Sequence, residues 1–358
     1  MSFNSKINIG NRNIEAGGKP YFIADIAANH DGSIDRAFKL IELAKEAGAD
    51  VAKFQNFKAN KIVSRNGFNS LGGQLSHQST WKKSVYDVYD DASIPEEWTR
   101  RLKEKCDEVG IEYMTSPYDF ESVDLVEPYV NAYKIGSGDI TWSEILKYIA
   151  NKRKPVLLAT GASNLDDVKR AMNEITCINK DIVLMQCNTN YTASEENFKF
   201  INLKVLNTYK QMYPGIILGL SDHTLGYSTV LGAIALGATV IEKHFTDDND
   251  RIGPDHKFSM NPVLWKSMVQ AANELYLSLG DGIKRIEENE QQTAMVQRRA
   301  LYYRKDLKAG HVITRGDLFP VRPIKRDGIP PYEIEKIIGK TILKDVQRDN
   351  YAKWSDFE

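Results

Sequence analysis

Residues 21–55 read YFIADIAANHDGSIDRAFKLIELAKEAGADVAKFQ, and the texture of this stretch changes twice. Residues 21–27 form a nearly continuous apolar run, short enough for a strand buried on both faces. Residues 34–47 then place apolar side chains at steps of three and four, the spacing of one helix face. Residues 51–55 return to a short run, interrupted only by Lys53 and Gln55. Strand, helix and strand in that order make a parallel βαβ unit. The first turn, residues 24–32, reads ADIAANHDG and lacks the glycine-rich phosphate fingerprint of a dinucleotide-binding unit.

The same rhythm continues. Further strands are expected at 112–116, 132–137, 155–160, 182–187, 216–222 and 239–245, with helices such as 96–109 and 165–175 between them. Eight units predict an α/β fold, a closed (β/α)8 TIM barrel; an open doubly wound sheet is the alternative. Residues 56–93 are long for a βα loop. They contain GFNSLGGQLSHQSTW and read either as a lid or as a poorly ordered insertion. After a helix expected at 265–279 comes the polar stretch GDGIKRIEENEQQ. From residue 298 short strand-like runs alternate with turns. The expected division is therefore a barrel over 1–280, a linker over 281–297 and a small domain over 298–358.

Composition narrows the function. The 358 residues carry a net charge of −1, which gives no electrostatic case for nucleic acid or an anionic membrane. No apolar run reaches about 18 residues, so no membrane span is expected. The polar residues 1–10 lack a signal-peptide pattern. Three cysteines form neither a disulfide framework nor a paired zinc motif, consistent with a reducing cytoplasm.

In a barrel, chemistry stands at the C-terminal strand ends. Asp25 ends the first strand, with Asn29, His30 and Asp31 in the next loop. The second carries Lys53 and Gln55, the third Ser116, and the fourth Lys134 and Ser137. Thr160, Cys187 and Asn188 follow on the fifth and sixth. Ser221, Asp222 and His223 end the seventh, and Glu242, Lys243 and His244 the eighth. Each alone could be a satisfied core polar group; arriving together, they mark a site. Lys53 and Lys134 need anionic partners once buried. A phosphate supplies one and accepts from Ser116, Ser137 and Ser221 as well; pairing with a barrel carboxylate such as Asp25 or Asp139 is the other reading. His223 and His244 end neighbouring strands, which lie about 4.8 Å apart. Two imidazoles with Asp25 or Asp255 suit Mn, Fe, Co or Zn, and open positions would polarise a carbonyl. The loop 251–260, RIGPDHKFSM, turns at Gly253-Pro254 and presents Asp255, His256 and Lys257.

These residues resemble the sialic acid synthases over nearly the whole chain. The most specific stretch is LGLSDHTLGYSTVLGAIALGATVIEKHFTDDNDRIGPDHKFSMNP at 218–262. It is supported by IADIAANHDG, KFQ, TSPYD, YKIGSGDIT and ATGAS. RRALYYRKDLKAGHVITRGDL is similar to the family's antifreeze-like (SAF) domain. The resemblance implies a TIM barrel followed by that domain, in a domain-swapped homodimer. It implies condensation of phosphoenolpyruvate with an open-chain N-acylated aminohexose, giving a nine-carbon 2-keto acid and phosphate by C–O cleavage. N-acetylmannosamine and 2,4-diacetamido-2,4,6-trideoxyhexoses are the candidate acceptors. A divalent ion, usually Mn²⁺ with Mg²⁺ or Co²⁺ as alternatives, would sit on His223 and His244. Lys53, Ser116, Lys134, Ser137 and Ser221 would hold phosphoenolpyruvate, helped by Thr189 and Tyr191. Asp255 would reach the sugar or a water on the ion. Asp25 stands where the family's carboxylate touches the sugar, and Asn29 and Gln55 would be further substrate-binding residues. Asp139 would move protons. Arg322, in Val-Arg-Pro-Ile where the family has Lys-Arg-Pro-Gly, matches the arginine a partner lends to the acyl group.

Two departures stand out. The family usually has Glu where this chain has Asp25 and Asp139, a reach shorter by roughly 1.5 Å each. Residues 80–98, TWKKSVYDVYDDASIPEEW, are similar to the pseudaminic acid branch, whereas GPDHK is similar to the sialic and legionaminic branches. The alternatives are thus the pseudaminic branch of the same chemistry and an inactive glycan-binding relative. A synthase for phosphorylated sugars would need a second basic cluster, and the sequence shows no clear one.

Overall fold

A computed structural model describes residues 3–358 of the chain. The chain forms two compact units, Met1–Gly280 and Asp281–Glu358.

The larger unit opens with an antiparallel hairpin, β1 (Lys6–Ile9) and β2 (Arg12–Glu15). Eight parallel strands follow: β3 (Tyr21–Asp25), β4 (Val51–Asn56), β5 (Glu112–Pro117), β6 (Tyr133–Ile135), β7 (Val156–Ala159), β8 (Ile182–Cys187), β9 (Ile217–Asp222) and β10 (Ala238–His244). Each pairs with its neighbour in sequence, and β10 closes on β3 to complete the barrel. Every residue of β3 and of β6 to β10 is buried. Helices cover one face of these strands and the barrel interior the other, so they read as apolar runs broken by polar residues mainly toward their C-terminal ends.

The helices start and stop where local chemistry dictates. Ser33 caps Ile34–Glu46 by accepting from the Arg36 N–H, and Ala37, Leu40, Ile41 and Ala44 form its buried stripe. Shortening Leu40 or Ile41 to Ala should cost about 2–5 kcal/mol. Glu96–Val109 ends at Gly110, whose φ of 71° is left-handed and suits glycine. Asn261 caps Pro262–Leu279, with the proline at the first turn.

The hairpin is not legible as a strand pair without its destination. Ile7, Ile9 and Ile14 pack with Tyr21, Ile23, Val51, Met114, Leu157, Val183, Met185, Ile217 and Val240. It stoppers the N-terminal end of the barrel with apolar side chains. The expected strand 21–27 stops at Asp25, because the Asp25 carboxylate accepts from the Ala27 N–H and turns the chain. The expected strand 132–137 is cut to three residues, since Ser137–Asp139 winds into a 3₁₀ turn. Residues 56–93 are an ordered insertion carrying helices Ala59–Ile62, Arg65–Asn69 and Val85–Ala92 and a 3₁₀ turn at Ser76–Thr80.

In the smaller unit β11 (Ala300–Tyr303) pairs antiparallel with β12 (Leu318–Val321). Leu301, Tyr303, Ile313, Leu318, Ile329, Ile337, Ile342 and Phe357 share one core. The stretch read as a linker is not featureless: it holds a 3₁₀ turn, Glu288–Glu290, and the helix Gln291–Gln297.

Candidate active site

Alternation along the strands aims the site. On β10, Val240 belongs to the inner cluster, whereas Ile241 packs with the helices. Glu242 and His244 therefore face the barrel axis and Lys243 faces outward. On β9 the same alternation turns Ser221 inward and Asp222 outward. Outside, Lys243 Nζ lies 2.6 Å from Asp222 Oδ2 and donates to the Thr224 carbonyl. Thr224 and Thr229 hydroxyls also donate to that carboxylate. This buried network fixes the loop that starts with His223.

Inside, Lys53 Nζ pairs with Asp25 Oδ2 at 2.6 Å and lies 3.8 Å from Glu242 Oε2. Lys134 Nζ lies 3.4 Å from Glu242 Oε1, and Ser221 Oγ donates to the same oxygen at 3.1 Å. Gln55 donates to Asp25 at 3.3 Å. All but Gln55 are buried. Burial pulls the Lys53 ammonium down, but Asp25 and Glu242 outweigh it and leave its pKa raised. The lysines thus have protein carboxylates as partners, as the second reading of the sequence allowed. Lys134 still makes no bond shorter than 3.4 Å. Ser137 Oγ accepts from the Gly161 N–H at 2.9 Å. Ser116 is buried on β5 in register with Gln55. Thr189 lines a cavity of about 820 Å³ beside Thr160, Ser163, Cys187 and Asn188.

The rings of His223 and His244 lie 5.3 Å apart, centroid to centroid. His223 Nδ1 sits 2.8 Å from the Asn188 carbonyl, which can only accept; the ring proton is therefore on Nδ1 and Nε2 keeps its lone pair. His244 Nδ1 is buried with no hydrogen-bond partner, and its Nε2 lies 3.5 Å from Asp25 Oδ2. Burial lowers His223 to about 4. Burial, with His223 and Lys53 nearby, holds His244 well below its ordinary value. Both rings are neutral lone-pair donors at neutral pH. Among the described residues no cluster of three or more His, Cys, Asp or Glu forms a metal cage. The two-imidazole set fits an ion that takes its remaining ligands from substrate and water.

The mouth is aromatic. Tyr191 packs on His223 at 4.3 Å and on Phe258 at 5.3 Å, and His77 of the insertion lies 4.9 Å from Tyr191. Two acids stand beside it. Asp255 accepts from the Ala28 N–H at 3.2 Å and lies 3.8 Å from His244 Nδ1. Burial raises it to about 6. Burial also raises Asp139 to about 6, against the pull of Lys134.

Other candidates fall elsewhere. Asn29 is fully buried and its amide donates to the Phe245 carbonyl and Ser259, so it ties two loops together. His256, fully buried, bridges Thr246 Oγ1 and Asp31 Oδ1; Asp31 also receives Arg251. That clamp shapes the loop holding Asp255 and Phe258. Arg322 stands exposed on the smaller unit. Glu242 was legible only as one more polar strand end; its place between the two lysines needed the barrel.

The NeuB family model matches residues 40–284, and an SAF domain matches 298–358. The chain belongs to the NeuB family. It is 36% identical over 343 residues to an N,N′-diacetyllegionaminic acid synthase of Campylobacter jejuni, covering 94% of this chain and 99% of that one. It is 31% identical over 356 residues to a pseudaminic acid synthase of the same species, covering 98% and 100%. Among solved structures, the N-acetylneuraminic acid synthetase of Leptospira borgpetersenii, in complex with citrate, superposes with a TM-score of 0.71 at 25% identity, over 82% of this chain and 96% of that one.

Proposed function

We propose that this NeuB-family enzyme is a nonulosonic acid synthase. It joins phosphoenolpyruvate to the open-chain aldehyde of an N-acylated aminohexose. The observation that carries the reading is the convergence, at one barrel mouth, of two buried ammoniums with two neutral imidazoles. Relatives named as legionaminic and pseudaminic acid synthases support the product class.

Lys53, Lys134, Ser116, Ser137, Ser221 and Thr189 hold the phosphate and carboxylate of phosphoenolpyruvate. Charge-assisted bonds of this kind are short and strong. His223 and His244 would hold a divalent ion, Mn²⁺ by family resemblance, which when bound supplies Lewis-acid polarisation of the aldehyde. Gln55, Tyr191 and Asp255 face the acceptor at the aromatic mouth. Asp25 is engaged with Lys53, so it acts on the donor side rather than reaching the sugar. C3 of the enol forms the new bond to C1 of the sugar, water adds at C2, and the C2–O bond to phosphate breaks. Asp139 takes the proton of that water, a role suited to a carboxyl raised to about 6. Lys134 and Lys53 stabilise the departing phosphate. A second copy of the chain would lend Arg322 to the acyl group of the acceptor. The three cysteines are free thiols, in keeping with a cytoplasmic reaction.

The test is phosphate release from phosphoenolpyruvate with Mn²⁺, using N-acetylmannosamine and the manno and altro 2,4-diacetamido-2,4,6-trideoxyhexoses, each with an EDTA control. Release with one sugar, lost in EDTA, is expected. No release with any of them, from folded metal-loaded protein, would overturn the reading.

A further inference from the structure

Glu242 is 3% exposed and stands inside the barrel, two residues below His244 on the same inward face of β10. Its carboxylate touches three groups assigned to the donor anion: Ser221 at 3.1 Å, Lys134 at 3.4 Å and Lys53 at 3.8 Å. Oε2 has no hydrogen-bond partner. A buried carboxylate among anion-binding groups is at first sight counterproductive, because it repels the substrate. Its geometry resolves this. Two ammoniums that share one carboxylate in a low-dielectric barrel repel each other, and the carboxylate between them offsets that repulsion. Asp25 cannot serve both, since it is held by Lys53 at 2.6 Å and by Gln55 and the Ala27 N–H. Glu242 is the carboxylate within 4 Å of both ammoniums.

The contacts are also long. The pair outside the barrel, Lys243 with Asp222, closes to 2.6 Å, as a purely structural ion pair does. At 3.4 and 3.8 Å, Glu242 attracts Lys134 and Lys53 without capping their N–H donors, which stay available to an incoming anion.

We propose that Glu242 is a positioning residue for the donor substrate: it orients Ser221 by accepting its hydroxyl proton and draws Lys134 and Lys53 together from a distance that leaves ammonium N–H donors free, around the place where phosphoenolpyruvate binds. The inference rests on the reading of this site as a phosphoenolpyruvate site.

The test compares wild type, Glu242→Gln and Glu242→Asp as full-length proteins. Phosphoenolpyruvate binding is measured by calorimetry without acceptor, alongside KM for each substrate and the melting temperature. Glu242→Gln should weaken phosphoenolpyruvate binding at least about tenfold and move the acceptor KM by no more than about twofold, roughly the loss of one pairing. Glu242→Asp should recover part of the affinity. The melting transition should survive in both. Unchanged or tighter binding in Glu242→Gln, or no recovery in Glu242→Asp, would overturn the proposal, as would parallel loss of both KM values, kcat and the melting transition. Failure of wild type to bind phosphoenolpyruvate would overturn the reading of the site and the inference with it.

Discussion

Replacing Asp139 with Asn should make the protein more stable while stopping its chemistry. Burial raises this carboxyl from 3.8 to about 6. The ionised form is therefore disfavoured in the folded state, by up to about 3 kcal/mol at 1.36 kcal/mol per pKa unit. Asp139 keeps some exposure, so about 1–2 kcal/mol is the expected cost. The folded pKa lies above the unfolded one, so the folded state binds the proton more tightly. Wild-type stability should then fall as pH rises from about 4 to about 6 and level off above. Asn does not titrate, so Asp139→Asn should gain on wild type across that window. The gap at pH 5 should be about half the gap at pH 7.5. Thermal melts should show the variant higher by about 2–4 °C per kcal/mol at pH 7.5. Its kcat should fall by about 10²–10⁴ if Asp139 moves the proton. No stabilisation, or an equal gap at both pH values, would refute the burial argument. Stabilisation with full activity would refute the proton-transfer role.

Three further outcomes follow from the same geometry. Lys53→Met leaves Asp25 and Glu242 buried against one remaining ammonium and should destabilise the barrel by about 3–5 kcal/mol; adding Asp25→Asn should restore part of that, measured as coupling in a double-mutant cycle. His244→Ala should abolish Mn²⁺ binding, read by equilibrium dialysis, and turnover with it, while the barrel still melts cooperatively; full activity in rigorously metal-free His244→Ala would contradict the role given to this ring. Gly161→Ala would place a methyl 2.5 Å from Thr189 Cγ2 and 2.9 Å from Ser137 Oγ, so KM for phosphoenolpyruvate should rise with little change for the acceptor. Identical kinetics would contradict the placing of Thr189 and Ser137 against phosphoenolpyruvate.

The strands were legible because a strand buried on both faces has to be mostly apolar, as 156–159 and 182–185 are. Their ends were legible to within about two residues, and the errors have local causes such as the Asp25 carboxylate drawing the Ala27 N–H. The site could be located because polar residues interrupt apolar runs only at one end. Which of them meet was not legible. Lys134 and Glu242 are more than a hundred residues apart, and only barrel closure brings them to 3.4 Å. Lys243 and Glu242 are adjacent in sequence yet point to opposite sides, so one holds the scaffold and the other the site. The N-terminal hairpin is a short alternating run that gains meaning only from the barrel floor it fills. Asn29 reads as a substrate-binding residue because of its loop. The structure gives its amide to the Phe245 carbonyl and Ser259, a demand that no spacing in the sequence reveals.

One labelled turnover tests the condensation most directly. Phosphoenolpyruvate carrying ¹⁸O in its C2–O–P bridge is incubated with the enzyme, Mn²⁺ and the active aminohexose, and phosphate and sugar acid are analysed by mass spectrometry. Addition of water at C2 followed by C2–O cleavage predicts one phosphate per nine-carbon acid, with the label in the phosphate. Label retained in the keto acid, or phosphate released without acceptor, would contradict it.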